Sequence, residues 1–255
     1  MKKNIWGVLP FLLLVGCSHP YIIENPIPTE QSSPIKLVQL SDIHFKSGKK
    51  IFENMVEKVN SLQSDIIVFT GDMVDNNSDV DTFFSCIGGI TADCPKYAVL
   101  GNWEYSSLDS IEVFKTRLKN AGIILLVNES HEAVIKGRLV SISALDDFLG
   151  GSPDVSKCSL KKESVNIILA HCPVLFDAVN AVKSDGVKFT MLCGHTHAGQ
   201  VTFFGLPVFL PEGSGEYVSG FYYNGENTLY VSRGIGNSTI DIRAGSDPNI
   251  DVLYF

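Results

Sequence analysis

The first half of the chain alternates short apolar segments with segments of helical periodicity, and this order limits the fold more than any other feature. Residues 66–70, IIVFT, are an uninterrupted β-branched and aromatic run, typical of a strand buried on both faces. In residues 51–62 the apolar side chains have the spacing of an amphipathic helix. The pattern predicts strands at 35–40, 66–70, 97–100 and 123–127, and helices at 51–62, 80–90 and 108–121.

The second half of the chain is richer in predicted β-structure. Strands are predicted at 133–135, 139–142, 165–170, 189–193, 200–204, 228–232 and 250–254, and a helix from Pro173 to about residue 182. Residues 205–225 are rich in Gly, Pro and aromatic side chains, which is typical of a mobile loop or a substrate-side insertion. Together the two halves predict a two-sheet α/β sandwich with helices on the outside.

The N-terminus has the features of an export signal. Lys2 and Lys3 precede an apolar run at 5–15, too short to cross a bilayer, which is followed by Cys17. This ending resembles the bacterial lipobox, which implies a signal peptide at 1–17 with lipidated Cys17 as the mature N-terminus. An uncleaved anchor and an ordinary signal peptide are the alternatives. Residues 18–34, rich in Pro, Ser and Asn, predict a flexible tether, and 35–255 the folded domain.

These features predict a cell-envelope protein, attached to the membrane by a lipid on Cys17 and facing the periplasm. Position 18 is Ser rather than the Asp that favours inner-membrane retention, so by analogy an outer-membrane anchor is expected. Export allows disulfides. Cys86 and Cys94 are close enough in sequence for a local bridge, and two free thiols are an equally compatible interpretation.

The charge balance restricts the partners of the protein. Lys and Arg total 20 against 28 Asp and Glu, a net charge of −8, and removal of the signal takes two lysines away. We expect no nucleic-acid partner, because such partners need a basic surface. The acidity does not restrict small phosphate-containing substrates, which respond to local charge.

Asp, Asn or His side chains follow five of the predicted strands. In chain order they are Asp42 and His44, Asp72, Asn102, His171, and His195 and His197. Sites in α/β sheets lie at the carboxyl ends of strands. Singly, each side chain fits a turn, a cap or a buried core histidine. As a set, they predict two divalent metal ions (Mn, Fe or Zn rather than Ca) that act in phosphoryl transfer.

These side chains lie in sequence blocks that resemble a known family. The blocks SDIHF, TGDMVD, LGNWE, AHCP and CGHTHAGQ, in this order from residue 41 to 200, are similar to those of the calcineurin-like metallophosphoesterases. The resemblance implies a four-layer αββα sandwich of two mixed sheets, and two metal ions that share the carboxylate of Asp72. The other implied ligands are Asp42, His44 and His197 for the first ion, and Asn102, His171 and His195 for the second.

The activity implied by the resemblance is hydrolysis of a phosphodiester or pyrophosphate bond by a metal-bridging hydroxide. Asn102 would also orient the phosphate, and the substrate would be a phosphate-containing small molecule or lipid. GHTHAGQ and SRGIGNS resemble a branch that includes UDP-2,3-diacylglucosamine pyrophosphatases, one alternative for the function. That substrate belongs to the cytoplasmic side, whereas the signal points outward. The other alternative is a non-catalytic metal-binding envelope lipoprotein on the same scaffold.

One position departs from the family pattern. The family usually has His after the Gly-Asn pair, where it stabilises the transition state or protonates the leaving group, but this chain has Trp103. Indole has one N–H donor and no useful proton to give, which favours substrates with good leaving groups or a stacking role for the ring.

Further candidates for substrate contact lie in the second half of the chain. Asp147 lies in a block, ALDDFLGG, that resembles one of this branch, with a solvated turn as the alternative. Arg233 could bind phosphate with both guanidinium arms, with a structural ion pair as the alternative. Most of the aromatic side chains at 203, 204, 209 and 221–223 are expected in the core, with contact to an acyl chain or a membrane as the alternative.

Overall fold

Two six-stranded sheets form the centre of the molecule in the computed structural model, which describes residues 20–26, 33–183, 186–204, 206–238 and 242–255. Strands are numbered in chain order. The first sheet, in spatial order, consists of β1 (Tyr21–Pro26), β14 (Asn249–Tyr254), β2 (Lys36–Leu40), β3 (Ile66–Thr70), β4 (Lys96–Val99) and β5 (Ile123–Leu125). The second consists of β12 (Gly220–Asn224), β13 (Asn227–Val231), β9 (Thr190–Cys193), β8 (Val165–Leu169), β7 (Arg138–Ala144) and β6 (Glu129–Ile135). Both sheets contain parallel and antiparallel neighbours.

Helices cover the outer face of each sheet. They are α1 (Lys50–Ser61), α2 (Asn77–Ile87), α3 (Asn102–Ser107), α4 (Ile111–Asn120) and α5 (Leu175–Val182). Phe52, Phe83 and Phe114, from α1, α2 and α4, pack in one core cluster with the first sheet. Phe176 of α5 packs with the outer face of the second sheet. This arrangement confirms the predicted four-layer αββα sandwich of two mixed sheets.

The buried strand β3 shows how the sequence specifies two cores. Ile67 and Phe69 face the helices, and Ile66 and Val68 face the second sheet. All five residues of β3 are buried, as the uninterrupted apolar run predicted. A strand with both faces covered gains from apolar side chains at every position, which fixes it at the centre of the sheet.

The predicted tether is wrong for its central part, because Tyr21–Pro26 form strand β1. This strand pairs in parallel with β14 at the edge of the first sheet. The Nδ2 atom of Asn25 donates to the Tyr230 hydroxyl at 2.8 Å, which connects the strand to the second sheet. Composition alone did not reveal the strand, because one short edge strand adds few apolar residues to a segment rich in Pro and Ser.

Three other predicted segments differ in more than their end residues. The predicted helix at 108–121 is shorter, α4 at Ile111–Asn120, and a separate unpredicted helix, α3, precedes it, with Leu108 in an extended backbone between the two. The predicted strand at 200–204 is only β10 (Thr202–Phe203), which pairs with β11 (Leu206–Pro207). The predicted loop at 205–225 contains β12 at its end.

The two cysteines with an open pairing are free thiols in this structure. The Sγ atom of Cys86 lies 3.8 Å from the carbonyl oxygen of Phe52, and the Sγ of Cys94 lies 3.8 Å from the Ser64 hydroxyl. Each thiol therefore has a local partner other than the second cysteine.

The predicted signal peptide, with Cys17, lies outside the described residues. Among the helices of the described ranges, none has the length and apolar character needed to cross a bilayer. The lipid anchor therefore stays a prediction.

Candidate metal centre

Loops at the carboxyl ends of five strands meet at one edge of the sandwich. β2, β3 and β4 are parallel neighbours in the first sheet, and β8 and β9 are parallel neighbours in the second. The polar side chains that these ends carry are Asp42 and His44 after β2, Asp72 after β3, Asn102 after β4, His171 after β8, and His195 and His197 after β9. All but Asn102, which is half-buried, are buried.

A first group of ligand atoms comes from Asp42, His44 and His197. The Nε2 atoms of the two histidines lie 3.0 Å apart, and His197 Nε2 lies 3.4 Å from Asp42 Oδ1. The backbone N–H of His195 donates to both carboxylate oxygens of Asp42 at 3.0 Å, which fixes the orientation of that side chain.

A second group comes from Asn102, His171 and His195. The Nε2 atom of His171 lies 3.2 Å from Asn102 Oδ1 and 3.1 Å from His195 Nδ1. The group contains two imidazoles and one amide oxygen, which together suit Mn, Fe or Zn.

Asp72 lies between the two groups. Its Oδ2 atom is 3.2 Å from His171 Nε2 and 3.6 Å from His44 Nε2. Its other oxygen, Oδ1, accepts from the backbone N–H of Trp103 at 2.9 Å. One carboxylate oxygen is thus held in place, and the other faces both histidine clusters, which is the position that a shared ligand of two cations requires.

The backbone at this edge is strained. A left-handed φ is rare for residues other than Gly and costs about 1–3 kcal/mol each. It occurs at five of the seven side chains: Asp42 (48°), His44 (42°), Asp72 (53°), His195 (72°) and His197 (50°). Such strain persists only where the surrounding structure holds it, and it concentrates at functional sites.

Hydrogen bonds on the far side of the rings prepare three histidines to bind a cation. His44 Nδ1 lies 2.5 Å from Asp75 Oδ1, and His171 Nδ1 lies 2.8 Å from the carbonyl oxygen of Thr70. His195 Nε2 lies 2.6 Å from the carbonyl oxygen of Glu212. Each acceptor places the ring proton on the outer nitrogen and leaves the lone pair of the inner nitrogen facing the cluster.

His197 has a different environment. The Nη2 group of Arg243, a buried donor, lies 2.9 Å from its Nδ1. Burial, together with the nearby His44 and Arg243, lowers the pKa of His197 well below its usual value and keeps the ring neutral. Coordination through Nε2 would place the ring proton on Nδ1, so metal binding requires a small movement of Arg243 or of the ring.

The charges of the remaining groups favour cation binding. Burial alone would raise the pKa of Asp72, but the nearby His171 and His44 outweigh it and lower the value to about 2. Burial alone would lower the pKa of His171, but Asp72 raises it well above its usual value, so the inner nitrogen carries a proton that a bound cation would displace. The bridging position therefore carries an ionised carboxylate in a buried site, where a divalent cation compensates the charge most effectively.

Glu104 holds two of the loops together. Its carboxylate accepts from the backbone N–H of Gly101 at 2.8 Å, Asp72 at 3.0 Å, Met73 at 2.6 Å and Val74 at 3.2 Å. Burial, with the charge of Asp72 beside it, raises the pKa of Glu104 to about 7, whereas the four N–H groups favour the ionised form. The side chain fixes the loop after β3 against the start of α3.

Comparison with known proteins agrees with this geometry. The profile of the calcineurin-like phosphoesterase family matches residues 35–199. The chain belongs to the calcineurin-like phosphoesterase family. Relatives include the uncharacterized metallophosphoesterase YkuE of Bacillus subtilis, 29% identical over 92% of this chain and 86% of the relative. The phosphodiesterase YaeI of Escherichia coli is 26% identical over 88% of this chain and 83% of the relative.

A solved structure supports the same fold. A dimetal phosphatase from Danio rerio superposes with a TM-score of 0.50 over 79% of this chain and 88% of that one, at 10% sequence identity. At that identity the likeness shows the fold alone. The family match and the named relatives, with two groups of metal-ligating side chains, show that the chain is a calcineurin-like, metal-dependent phosphoesterase.

Trp103 lies at the site, in the family position usually taken by His. Its ring centroid is 5.7 Å from that of His44, with the two planes at 89°. The indole is half-buried and forms part of the cavity wall, while its backbone N–H orients Asp72. The end of β4 therefore contributes two groups to the site: the side chain of Asn102, and the backbone N–H of Trp103 that orients Asp72.

The two weaker substrate candidates lie elsewhere. The carboxylate of Asp147 is fully buried and accepts from the N–H of Leu149 at 2.8 Å and of Gly150 at 2.7 Å, so the predicted contact with substrate is wrong for this residue. It closes the turn instead. Arg233 is exposed and is not among the described residues that line the cavity. Its role in binding phosphate stays a prediction.

A cavity of about 700 Å³ opens beside the metal centre. Asp72, His195 and His197 form its polar floor, and its walls are largely apolar. The apolar wall residues are Trp103, Leu149, Val201, Val208, Phe209 and Pro211. A phosphate that reaches the floor would therefore carry an apolar or aromatic group along the wall.

Sequence reasoning missed the residues that position the ligands. Glu104, Asp75 and Arg243 were not predicted to act at the site. Glu104 lies three residues after Gly101, the spacing of a capping box, and this signal was available. Asp75 lies at the end of the TGDMVD block. Arg243 is 46 residues from His197 and has no local signal.

Proposed function

We propose that the chain hydrolyses a phosphodiester or pyrophosphate bond with two divalent metal ions, of which Mn, Fe and Zn fit the donors. The proposal rests on the position of Asp72 Oδ2, which lies within 3.6 Å of ring nitrogens from both histidine groups. The kinship with a protein named phosphodiesterase supports the diester as the bond.

Each group has a part in this proposal. Asp42, His44 and His197 would hold the first ion, and Asn102, His171 and His195 the second, with Asp72 shared. When bound, such ions neutralise phosphoryl oxygens and lower the pKa of water. The amide of Asn102, which lines the cavity, would also orient the phosphate by donating to a phosphoryl oxygen.

The site offers little help to a departing alkoxide. Trp103 replaces the usual histidine, and indole has no proton to transfer. Good leaving groups, such as aryl phosphates and pyrophosphates, need little protonation and are the expected substrates.

Hydrolysis of bis-p-nitrophenyl phosphate by the purified full-length chain with added manganese tests the proposal. We expect turnover by the wild type and by the surface variant Lys119→Ala, and its loss in Asn102→Ala. Absence of turnover, with two metal ions bound, would favour the alternative of a non-catalytic metal-binding envelope lipoprotein.

A second candidate function is the hydrolysis of UDP-2,3-diacylglucosamine at its pyrophosphate. The largely apolar cavity wall favours a substrate with acyl chains. Release of UMP from this substrate, at a rate above that with a water-soluble UDP-sugar, is the expected result. Equal rates with the two substrates would rule out recognition of the acyl chains.

We also propose the cellular location. A lipid on Cys17 would hold the protein in the cell envelope facing the periplasm, with the outer membrane preferred. We expect labelled palmitate to be incorporated into the wild type but not into Cys17→Ala. No incorporation into the wild type would contradict the lipid anchor and favour an uncleaved anchor or an ordinary signal peptide.

A further inference from the structure

The β10–β11 hairpin exposes an unusual amount of apolar surface. The exposed fractions are 58% at Phe203, 92% at Phe204, 71% at Leu206, 68% at Val208 and 70% at Phe209. Single exposed apolar side chains are normal on soluble proteins, but five within seven positions of one segment, with Phe203 and Phe204 in ring contact, indicate an interaction surface. Most of these aromatic side chains were predicted in the core, so this exposure corrects the prediction for Phe203, Phe204 and Phe209.

The hairpin also lacks charge. Residues 201–211, VTFFGLPVFLP, contain no Asp, Glu, Lys or Arg, whereas 19% of the whole chain is charged. A segment that enters a lipid surface has to bury its side chains without burying charge. Phenylalanine and leucine are the side chains that such interfacial segments present to the acyl region.

The apolar surface continues into the candidate metal centre. Val208 and Phe209 belong to the exposed group and also line the cavity above Asp72 and His197. The backbone N–H of Val208 donates to the carbonyl of Val201 at 3.1 Å, which ties the hairpin to the cavity wall. A surface that covers the hairpin would therefore also face the mouth of the cavity.

Strand direction brings the N-terminal segment to the same edge. β14 runs antiparallel to β2 and Asp251 pairs with Gln39, so Asn249, two residues earlier, lies at the carboxyl end of β2. β1 is parallel to β14, and Tyr21 pairs with Asn249. Tyr21 thus lies two strand spacings, roughly 10 Å, from β2 at the edge that carries the site.

The distance from Tyr21 to the apolar N-terminal run is short. Three residues lie between Cys17 and Tyr21, and the four residue steps span at most about 14 Å when extended. If the chain is held by a lipid on Cys17 or by the uncleaved apolar run, the attachment would lie within this distance of Tyr21, whereas an ordinary signal peptide would leave no attachment. Formation of β1 shortens the predicted tether and limits how far the domain can turn away.

We propose that the hairpin is a membrane-contacting surface, and that the protein lies on the bilayer with this edge and the cavity mouth facing the lipid. The occupant of the apolar surface is the interfacial region of a phospholipid bilayer. The predicted attachment at Cys17, at most about 14 Å of extended chain from Tyr21, favours lipid over a protein partner. The proposal concerns orientation, rests on the proposed membrane attachment and does not depend on catalysis.

Site-specific photocrosslinking tests the proposal in the full-length chain in membranes of expressing cells. A benzophenone amino acid replaces Phe204 in one variant and Val134 in the other, and phospholipids carry a radiolabel in their acyl chains. Val134 is a matched control, because it is 70% exposed and pairs with Leu139 at the start of β7, at the opposite edge of the second sheet. Both positions are exposed, so neither replacement disturbs the core.

We expect labelled lipid on the variant at position 204, at a yield roughly tenfold above that at position 134. Equal labelling at the two positions, or none at position 204, would overturn the proposed orientation. A crosslink from position 204 to another protein, without lipid, would overturn it in favour of a protein partner. Each result is independent of turnover, so loss of the proposed activity would not change the interpretation.

Discussion

At the scale of single residues, the site depends on carboxylates that are held more firmly than a surface carboxylate could be. Asp72 is oriented by the N–H of Trp103, and Glu104 accepts four backbone N–H groups. Neither side chain meets solvent to a useful extent. The charge of Asp72 belongs to the candidate ligand set, whereas that of Glu104 organises the loops around it.

Replacement of Glu104 by Gln should destabilise the fold strongly. The amide keeps one acceptor oxygen and turns an NH₂ group toward N–H donors, so buried donors lose their partners at about 1–3 kcal/mol each. We expect the free energy of unfolding in urea to fall by about 2–4 kcal/mol. Glu112, which forms an exposed ion pair with Lys115, is the control. We expect Glu112→Gln to change the free energy of unfolding by less than about 0.5 kcal/mol. Equal values for the two variants would contradict the role given to Glu104.

Reversion of Trp103 to His should change substrate preference. A histidine at this position can protonate a departing alkoxide, which contributes about 10²–10⁴ in rate where protonation matters. We expect Trp103→His to raise kcat for alkyl phosphodiesters by up to that factor and to change the rate for p-nitrophenyl esters less than about tenfold. An unchanged ratio of the two rates would show that the missing proton donor does not limit this enzyme.

Single residues show what the sequence can and cannot reveal about a site. The seven ligand candidates were predictable because Asp, His and Asn directly follow apolar runs, and strand ends meet in an α/β sheet. Arg243 was not predictable, because its guanidinium reaches His197 from a distant loop. Asp147 was misassigned, because a sequence block does not tell whether a carboxylate faces a cavity or its own turn.

At the scale of elements, the site depends on close approach between turns. A Cβ atom at Gly101 would collide with the side chain and backbone N of Asp72, and one at Gly194 with Ser41 and Asp42. The glycines therefore set the distance between the strand ends. That distance determines how close the candidate ligand side chains lie to one another.

Gly101→Ala tests this spacing. The added methyl displaces Asp72 from between the two histidine groups, so we expect metal-dependent turnover to fall at least about 10²-fold, as displacement of a catalytic group by about 1 Å does. Gly88→Ala, at the end of α2, is the matched control, because its Cβ would lie 3.2 Å from its nearest neighbour, the carbonyl of Phe84. Comparable activity in the two variants would show that the turn tolerates a side chain.

The buried Asp251 on β14 predicts a dependence of stability on pH. Burial raises the pKa of Asp251 to about 6, despite hydrogen bonds from Tyr230 and Asn249. Between about pH 4 and pH 6 the folded chain holds a proton that the unfolded chain has lost, so stability falls as pH rises through this range. Relative to Asp251→Asn, we expect the wild type to lose about 1–3 kcal/mol between pH 4 and pH 7. A constant difference across this range would contradict the shifted pKa.

Some elements could be predicted from the local sequence, and others depend on distant parts of the chain. The strand at 66–70 was predictable from its uninterrupted apolar run, since only a strand covered on both faces uses every side chain. β1 was not, because its partner β14 lies more than two hundred residues away in the chain. Helix α3 was missed because the site requires a turn at Gly101, and the helix begins immediately after it.

At the scale of the whole molecule, three features lie at one edge of the sandwich. They are the candidate metal centre, the exposed hairpin and the first strand of the described chain. Mixed sheets permit this arrangement: β14 runs antiparallel to β2 and β1 runs parallel to β14, so β1 begins at the edge where β2, β3 and β4 end. The direction of β1 could not be predicted from the sequence. The proposed orientation toward the membrane depends on that direction, so it could not be predicted either.

The number and position of bound metal ions test the central claim most directly. Crystals of the full-length chain grown with manganese would be measured by anomalous diffraction. We expect two peaks roughly 3.5–4 Å apart, with one oxygen of Asp72 between them. One peak, no peak, or two peaks without Asp72 between them would contradict a dinuclear centre built by the seven strand-end side chains.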